Sequence, residues 1–121
     1  MRLVHQNGED GCGIACVAMV AGVTYDGAKD ELPGYWERKG TTKKQMRHGL
    51  RHYGIKTSAP KSIAGKNYKE FEFDAVLLGY WDEEMHWTVW DFKHKKLLDP
   101  YRGRSKFRCT SFIRIEAKNS N

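Results

Sequence analysis

The pattern of apolar and polar positions changes character about halfway along the chain. After Gly13 the run IACVAMVAGV is apolar on nearly every side, which predicts a helix buried all round rather than a surface helix with one apolar stripe. Gly22 is placed to end that helix. Thr24 is placed to cap a short second one, YDGAKDEL, closed by Pro33 and Gly34. Thr42 and Gln45 form a capping box for a third helix, on which Met46, Leu50 and Tyr53 share a face before Gly54 stops it.

The second half carries the period of strands. Residues 55–69, IKTSAPKSIAGKNYK, are polar and glycine-containing and predict a short strand and a loop. Beyond them FDAVLLGYW is nearly continuously apolar at strand length, HWTVWDF alternates, KKLLD is short and FRCTSFIRIE alternates again. Helices followed by three or four strands joined by tight links give an α+β layout, with the buried helix lying on an antiparallel sheet. No linker or repeat divides the chain, so residues 1–116 are expected to form a single domain and 117–121 a frayed tail.

Composition narrows the class. With 121 residues and 40% hydrophobic content the chain can bury one core. No apolar run approaches the roughly 18 residues a membrane span needs, and the first ten residues carry no signal-peptide core, so a cytoplasmic location is expected. Three cysteines make an odd number for a disulfide framework, and reduced thiols are the better reading. No cofactor is called for. Cys12 and Cys16 with His48 and His52 offer four zinc-type ligands, but the thiols open a buried apolar helix rather than a knuckle, so no metal site is assigned.

The charge is uneven. Between Gly34 and Lys56 stand Arg38, Lys39, Lys43, Lys44, Arg47, Arg51 and Lys56 against Glu37 alone, a balance that equals the net charge of +6. Such a segment favours acidic partners, nucleic acid included. No basic–aromatic module accompanies it, so a solvated helix face is the preferred reading.

The stretch QNGEDGCGIAC holds the candidate chemistry. Cys12 falls at the start of the buried helix, where unpaired backbone N–H groups and the helix dipole favour a thiolate. Gly11 and Gly13 beside it permit unusual backbone angles and the close approach of a substrate chain. Cys16, one turn later, and Cys109, in an alternating strand, read as packed residues. A nucleophile needs a base and a group to orient it. His86 opens one strand and Asp99 ends the next, so a hairpin would set them side by side. His5, His48, His52 and His94 have no acid so delivered. Gln6 is placed to donate to an oxyanion together with the N–H of Cys12.

These residues, with QNGEDGCGIACVAMVAGVTYDGAKDEL, TTKKQMRHGLRHYGI, HWTVW and LLDPYRG in order, resemble the papain-like double-glycine leader peptidases that process bacteriocins. The family's oxyanion glutamine six positions before the cysteine, its catalytic cysteine, its histidine followed by an aromatic residue, and its Asp-Pro pair map to Gln6, Cys12, His86 and Asp99. Gly11 stands where the family usually has an aspartate, and Asp10 lies one place earlier. The resemblance implies a papain-like fold, a peptide or protein substrate, a narrow cleft that accepts glycine, and a bacterial or phage source. Peptide or isopeptide hydrolysis is the favoured activity. Deamidation, transglutamination and a non-catalytic binder using the basic face are the alternatives. Trp87, with Trp36, Trp81 and Trp90, is a candidate wall of the cleft, against the commoner role of strand aromatics in a core.

Overall fold

The computed structural model describes residues 1–8, 10–34, 36–101 and 106–118. Helix α1, Cys12–Ala21, has nine of its ten residues buried, as its unstriped apolar sequence requires. Gly22 closes it in the left-handed conformation at φ 75°, its N–H bonded to the carbonyl of Ala18 at 2.9 Å. Helix α2, Tyr25–Glu31, starts at Thr24, whose hydroxyl accepts the N–H of Gly27 at 3.0 Å. A short α3, Trp36–Lys39, follows, which the sequence pattern does not announce. Helix α4, Lys43–His52, carries the full capping box between Thr42 and Gln45, a motif typically worth about 1 kcal/mol.

Among the described residues six strands form the sheet: β1 Ile55–Thr57, β2 Lys61–Ser62, β3 Ala75–Trp81, β4 Glu84–Asp91, β5 Lys96–Leu98 and β6 Arg108–Lys118. The order is β1-β6-β3-β4-β5, every pairing is antiparallel, and β2 adds to the same side of β6 as β1. Strand β2 lies in the stretch expected to be mostly loop. The C-terminal strand also outruns expectation, because Ala117 and Lys118 pair with Lys56 and Ile55. The frayed tail therefore does not begin at 117, and residues 119–121 lie outside those described.

Both faces of the sheet are covered, which explains why β3 reads as one continuous apolar run. On one face α1 packs on β4, with Ile14, Val17, Val76, Trp87, Val89 and Ile113 in one core. The other face is covered by the chain between Ile63 and Phe73, which includes a 3₁₀ turn at Tyr68–Glu70. Its Phe71 packs with Leu77, Trp90 and Phe112 in a second core. The resulting α+β architecture sets the start of α1 against the middle of β4.

Candidate active site

Three segments meet at the start of α1: the loop from Gln6 to Gly11, strand β4, and the turn after β5. Cys12 is the first residue of α1 and only 5% exposed. Its sulfur accepts the backbone N–H groups of Trp87 and Gly13, so the thiol rests against the residue that follows His86. The β4–β5 hairpin, in which Val89 pairs with Leu98, carries Asp99 to the flank of His86. There Nε2 of His86 lies 2.7 Å from Oδ1 of Asp99, with the histidine side chain 3% exposed and the aspartate 18%. Oδ1 of Asp99 also accepts the N–H of Tyr101 at 2.9 Å, which fixes the carboxylate from the other side.

Gln6 is tied to the same corner. Its backbone N–H donates to the carbonyl of Pro100 at 2.9 Å, and its Nε2 donates to the carbonyl of Gly8 at 2.8 Å. The structure thus ties Gln6 and His86 to the Asp99–Pro100 segment and sets Cys12 against Trp87, the neighbour of His86.

A cavity of about 450 Å³ opens beside the thiol. One wall is Lys39, Gly40, Thr41 and Thr42, and the other is Glu84, Met85 and Trp87, with Asp10 and Cys12 between. Trp87 is pinned by a bond from its Nε1 to the carbonyl of Thr41 at 2.9 Å, which ties the two walls together. Trp36 and Trp90 instead belong to the two cores, as the commoner role of aromatic residues suggests.

Three sequence expectations need correction. Gly11 and Gly13 do not leave room for a substrate chain. A Cβ at Gly13 would meet the hydroxyl oxygen of Thr41 at 2.0 Å, and one at Gly11 would meet the carbonyl of Asn7 and the phenol oxygen of Tyr25, each at 2.5 Å. Gly11 also has an ordinary φ of −81°, so its lack of a side chain serves close packing. The thiol of Cys12 is not shifted toward the thiolate either. Burial pushes its pKa up to about 11, with the Trp87 and Gly13 N–H groups opposing and the nearby Asp10 charge adding to the rise. Desolvation outweighs the helix terminus here.

Trp81, named above among the candidate walls of the cleft, instead covers the histidine. Its ring stacks on His86 with centroids 3.6 Å apart and 18° between planes, and it is 4% exposed. Register explains the pairing: Trp81 opposes Glu84 and Gly79 opposes His86, so tryptophan and histidine are diagonal neighbours. The tight hairpin between two recognisable strands was the available signal. Cys16 is fully buried and Cys109 packs against the second core, as expected of structural thiols, and burial raises the pKa of both.

A sheet-and-helix pair with a cysteine at the helix start and a paired histidine and acid on the strands is the arrangement of a papain-like cysteine peptidase. Residues 1–115 match the model of the peptidase C39 family, and the chain belongs to that family. No curated protein and no solved structure matches it. Among the described residues no helix is long and apolar enough to cross a membrane.

Proposed function

We propose that the protein cleaves a peptide or isopeptide bond, at a glycine-containing site, by acyl transfer to Cys12. The observation that carries this reading is the 2.7 Å bond between His86 Nε2 and Asp99, made beside the residue whose N–H touches the Cys12 sulfur. With Nε2 engaged by Asp99, Nδ1 is the ring nitrogen assigned to proton transfer.

In this mechanism the sulfur attacks the scissile carbonyl carbon while its proton passes to Nδ1 of His86. Because burial keeps the resting thiol protonated, the proton moves with the attack rather than before it. The negative oxygen that forms is met by the N–H of Cys12 and the amide of Gln6, whose orientation is set by its bond to Gly8. One such donor is typically worth about 3 kcal/mol. The C–N bond breaks, and the leaving amine takes the proton from His86. Water then attacks the thioester, gives its proton to His86, and the acid product leaves as the thiol regains that proton. Asp99 keeps the imidazole in one tautomer and supports its charge.

Burial of Cys12 favours a second reading, in which the fold binds an acidic partner through the exposed Lys43, Lys44 and Arg51 and performs no chemistry. One experiment separates them. A pool of glycine-containing peptides is incubated with the protein and with Cys12→Ala, and new termini are read by mass spectrometry. Termini made only by the unaltered protein support hydrolysis; identical profiles for both proteins overturn it.

A further inference from the structure

The phenol oxygen of Tyr25 is a junction that the mechanism above does not use. Its O–H donates to Oε2 of Glu37 at 2.6 Å, and the same oxygen accepts the backbone N–H of Asn7. The other oxygen of Glu37 is held by Lys29 at 3.3 Å. Gly11 lies so close that a Cβ there would come within 2.5 Å of the phenol oxygen. Helix α2, helix α3 and the loop before Cys12 therefore converge on one atom.

The place of that atom matters. Asn7 directly follows Gln6, and Gly11 directly precedes Cys12, so Tyr25 grips both ends of the loop between the oxyanion amide and the nucleophile. The direction of the bond is also fixed. Burial, reinforced by the carboxylate of Glu37, raises the phenol pKa, while the phenol bond, with help from Lys29, lowers that of Glu37. The hydroxyl therefore stays a donor and the carboxylate an acceptor across the neutral range. A phenylalanine would fill the same 8%-exposed site, so what the hydroxyl adds is geometry rather than volume.

We propose that Tyr25, anchored by Glu37, is a positioning residue for acyl transfer, holding Asn7 and Gly11 so that Gln6 and the N–H of Cys12 face the same oxyanion. This rests on the acyl-transfer reading above. It adds a requirement that the reading alone does not contain, because Tyr25 touches neither the carbonyl nor the base.

The test compares two reagents on the same thiol of the whole protein. p-Nitrophenyl acetate acylates Cys12: the C–S bond forms, p-nitrophenolate leaves, the thiol proton goes to His86, and an oxyanion is passed on the way. Iodoacetamide alkylates the same sulfur with loss of iodide and without an oxyanion. Both are read by intact mass and peptide mapping, with circular dichroism to confirm folding. Tyr25→Phe should slow acylation about tenfold, part of the roughly hundredfold that loss of a whole oxyanion donor costs, while alkylation stays within about twofold. Glu37→Ala should do the same, and Glu37→Gln, which keeps an acceptor oxygen, should recover most of the rate. If Tyr25→Phe leaves acylation unchanged, or slows both reactions together, the positioning role is wrong. His86→Ala tells the two failures apart: if it acylates as fast as the unaltered protein, the acyl-transfer reading fails and this inference falls with it.

Discussion

Nε2 of His86 and Oδ1 of Asp99 are 2.7 Å apart, although 13 positions separate them in sequence, because the β4–β5 hairpin folds one strand end beside the next. A buried imidazole facing a carboxylate is held in one tautomer. Asp99→Asn keeps the oxygen that caps the Tyr101 turn but removes the charge that supports the imidazolium. Acylation of Cys12 by p-nitrophenyl acetate should fall by about a hundredfold or more, with the circular dichroism spectrum unchanged. A loss smaller than threefold would show that Asp99 serves only the turn.

The ring of Trp81 stacks on His86 with centroids 3.6 Å apart, and both rings are buried. Trp81→Ala should lower stability by about 3 kcal/mol in urea unfolding, the usual cost of removing a buried aromatic ring, and also slow acylation. Trp81→Phe keeps an aromatic face and should retain most of the rate. Equal rates for all three proteins would mean that the stack is packing alone.

The pH dependence of Cys12 has a definite sign. A thiol raised to about 11 is protonated throughout the neutral range, and its thiolate fraction falls about tenfold for each pH unit below that value. Alkylation by iodoacetamide should therefore keep climbing from pH 7 to pH 10. A plateau below pH 7 would reveal a resting thiolate–imidazolium pair and would contradict the burial argument.

Gly13 and Thr41 occupy one space. A Cβ at Gly13 would overlap both the hydroxyl oxygen and the Cβ of Thr41, at 2.0 Å and 2.6 Å. Gly13→Ala should cost about 1 to 3 kcal/mol, the usual range for overpacking, and Thr41→Gly should cost less in that background than in the unaltered protein. Thermal unfolding of the four proteins gives the coupling; strict additivity would mean that the helix start yields easily.

With Cys12 proposed as the nucleophile, Cys16 and Cys109 are left as packing residues. Cys16→Ala removes a fully buried sulfur and Cys109→Ala one packed at the edge of the second core, so each should cost about 1 kcal/mol in urea unfolding. Acylation of Cys12 should be unaffected by either. If Cys109→Ala alone silenced a well-folded protein, the nucleophile would have been misassigned.

The local features of this chain are those that short-range chemistry dictates. The unstriped run after Gly13 specified a buried helix, Thr24 and Thr42 specified caps, and alternation in HWTVWDF with its apolar neighbours specified paired strands. The order of strands and turns was enough to suggest that His86 and Asp99 would meet, since a hairpin leaves little freedom of register. Less legible was the stretch from Ile63 to Phe73, whose aromatic residues Tyr68, Phe71 and Phe73 hold no single period. They bury themselves by covering a sheet face built from residues far along the chain.

Sequence alone therefore determined the main helices and strands and the set of residues able to do thiol chemistry, because those follow from propensity, periodicity and capping among neighbours, whereas α3, β2 and the full length of β6 did not show in it. Only the tertiary structure decided what those residues experience. The thiol of Cys12 is pushed up because distant segments exclude water from it, Gly11 and Gly13 are glycines because Tyr25 and Thr41 press against them, and Trp81 covers His86 because a hairpin sets them diagonally. Desolvation and steric exclusion depend on atoms brought together from across the chain, and no window of sequence contains them.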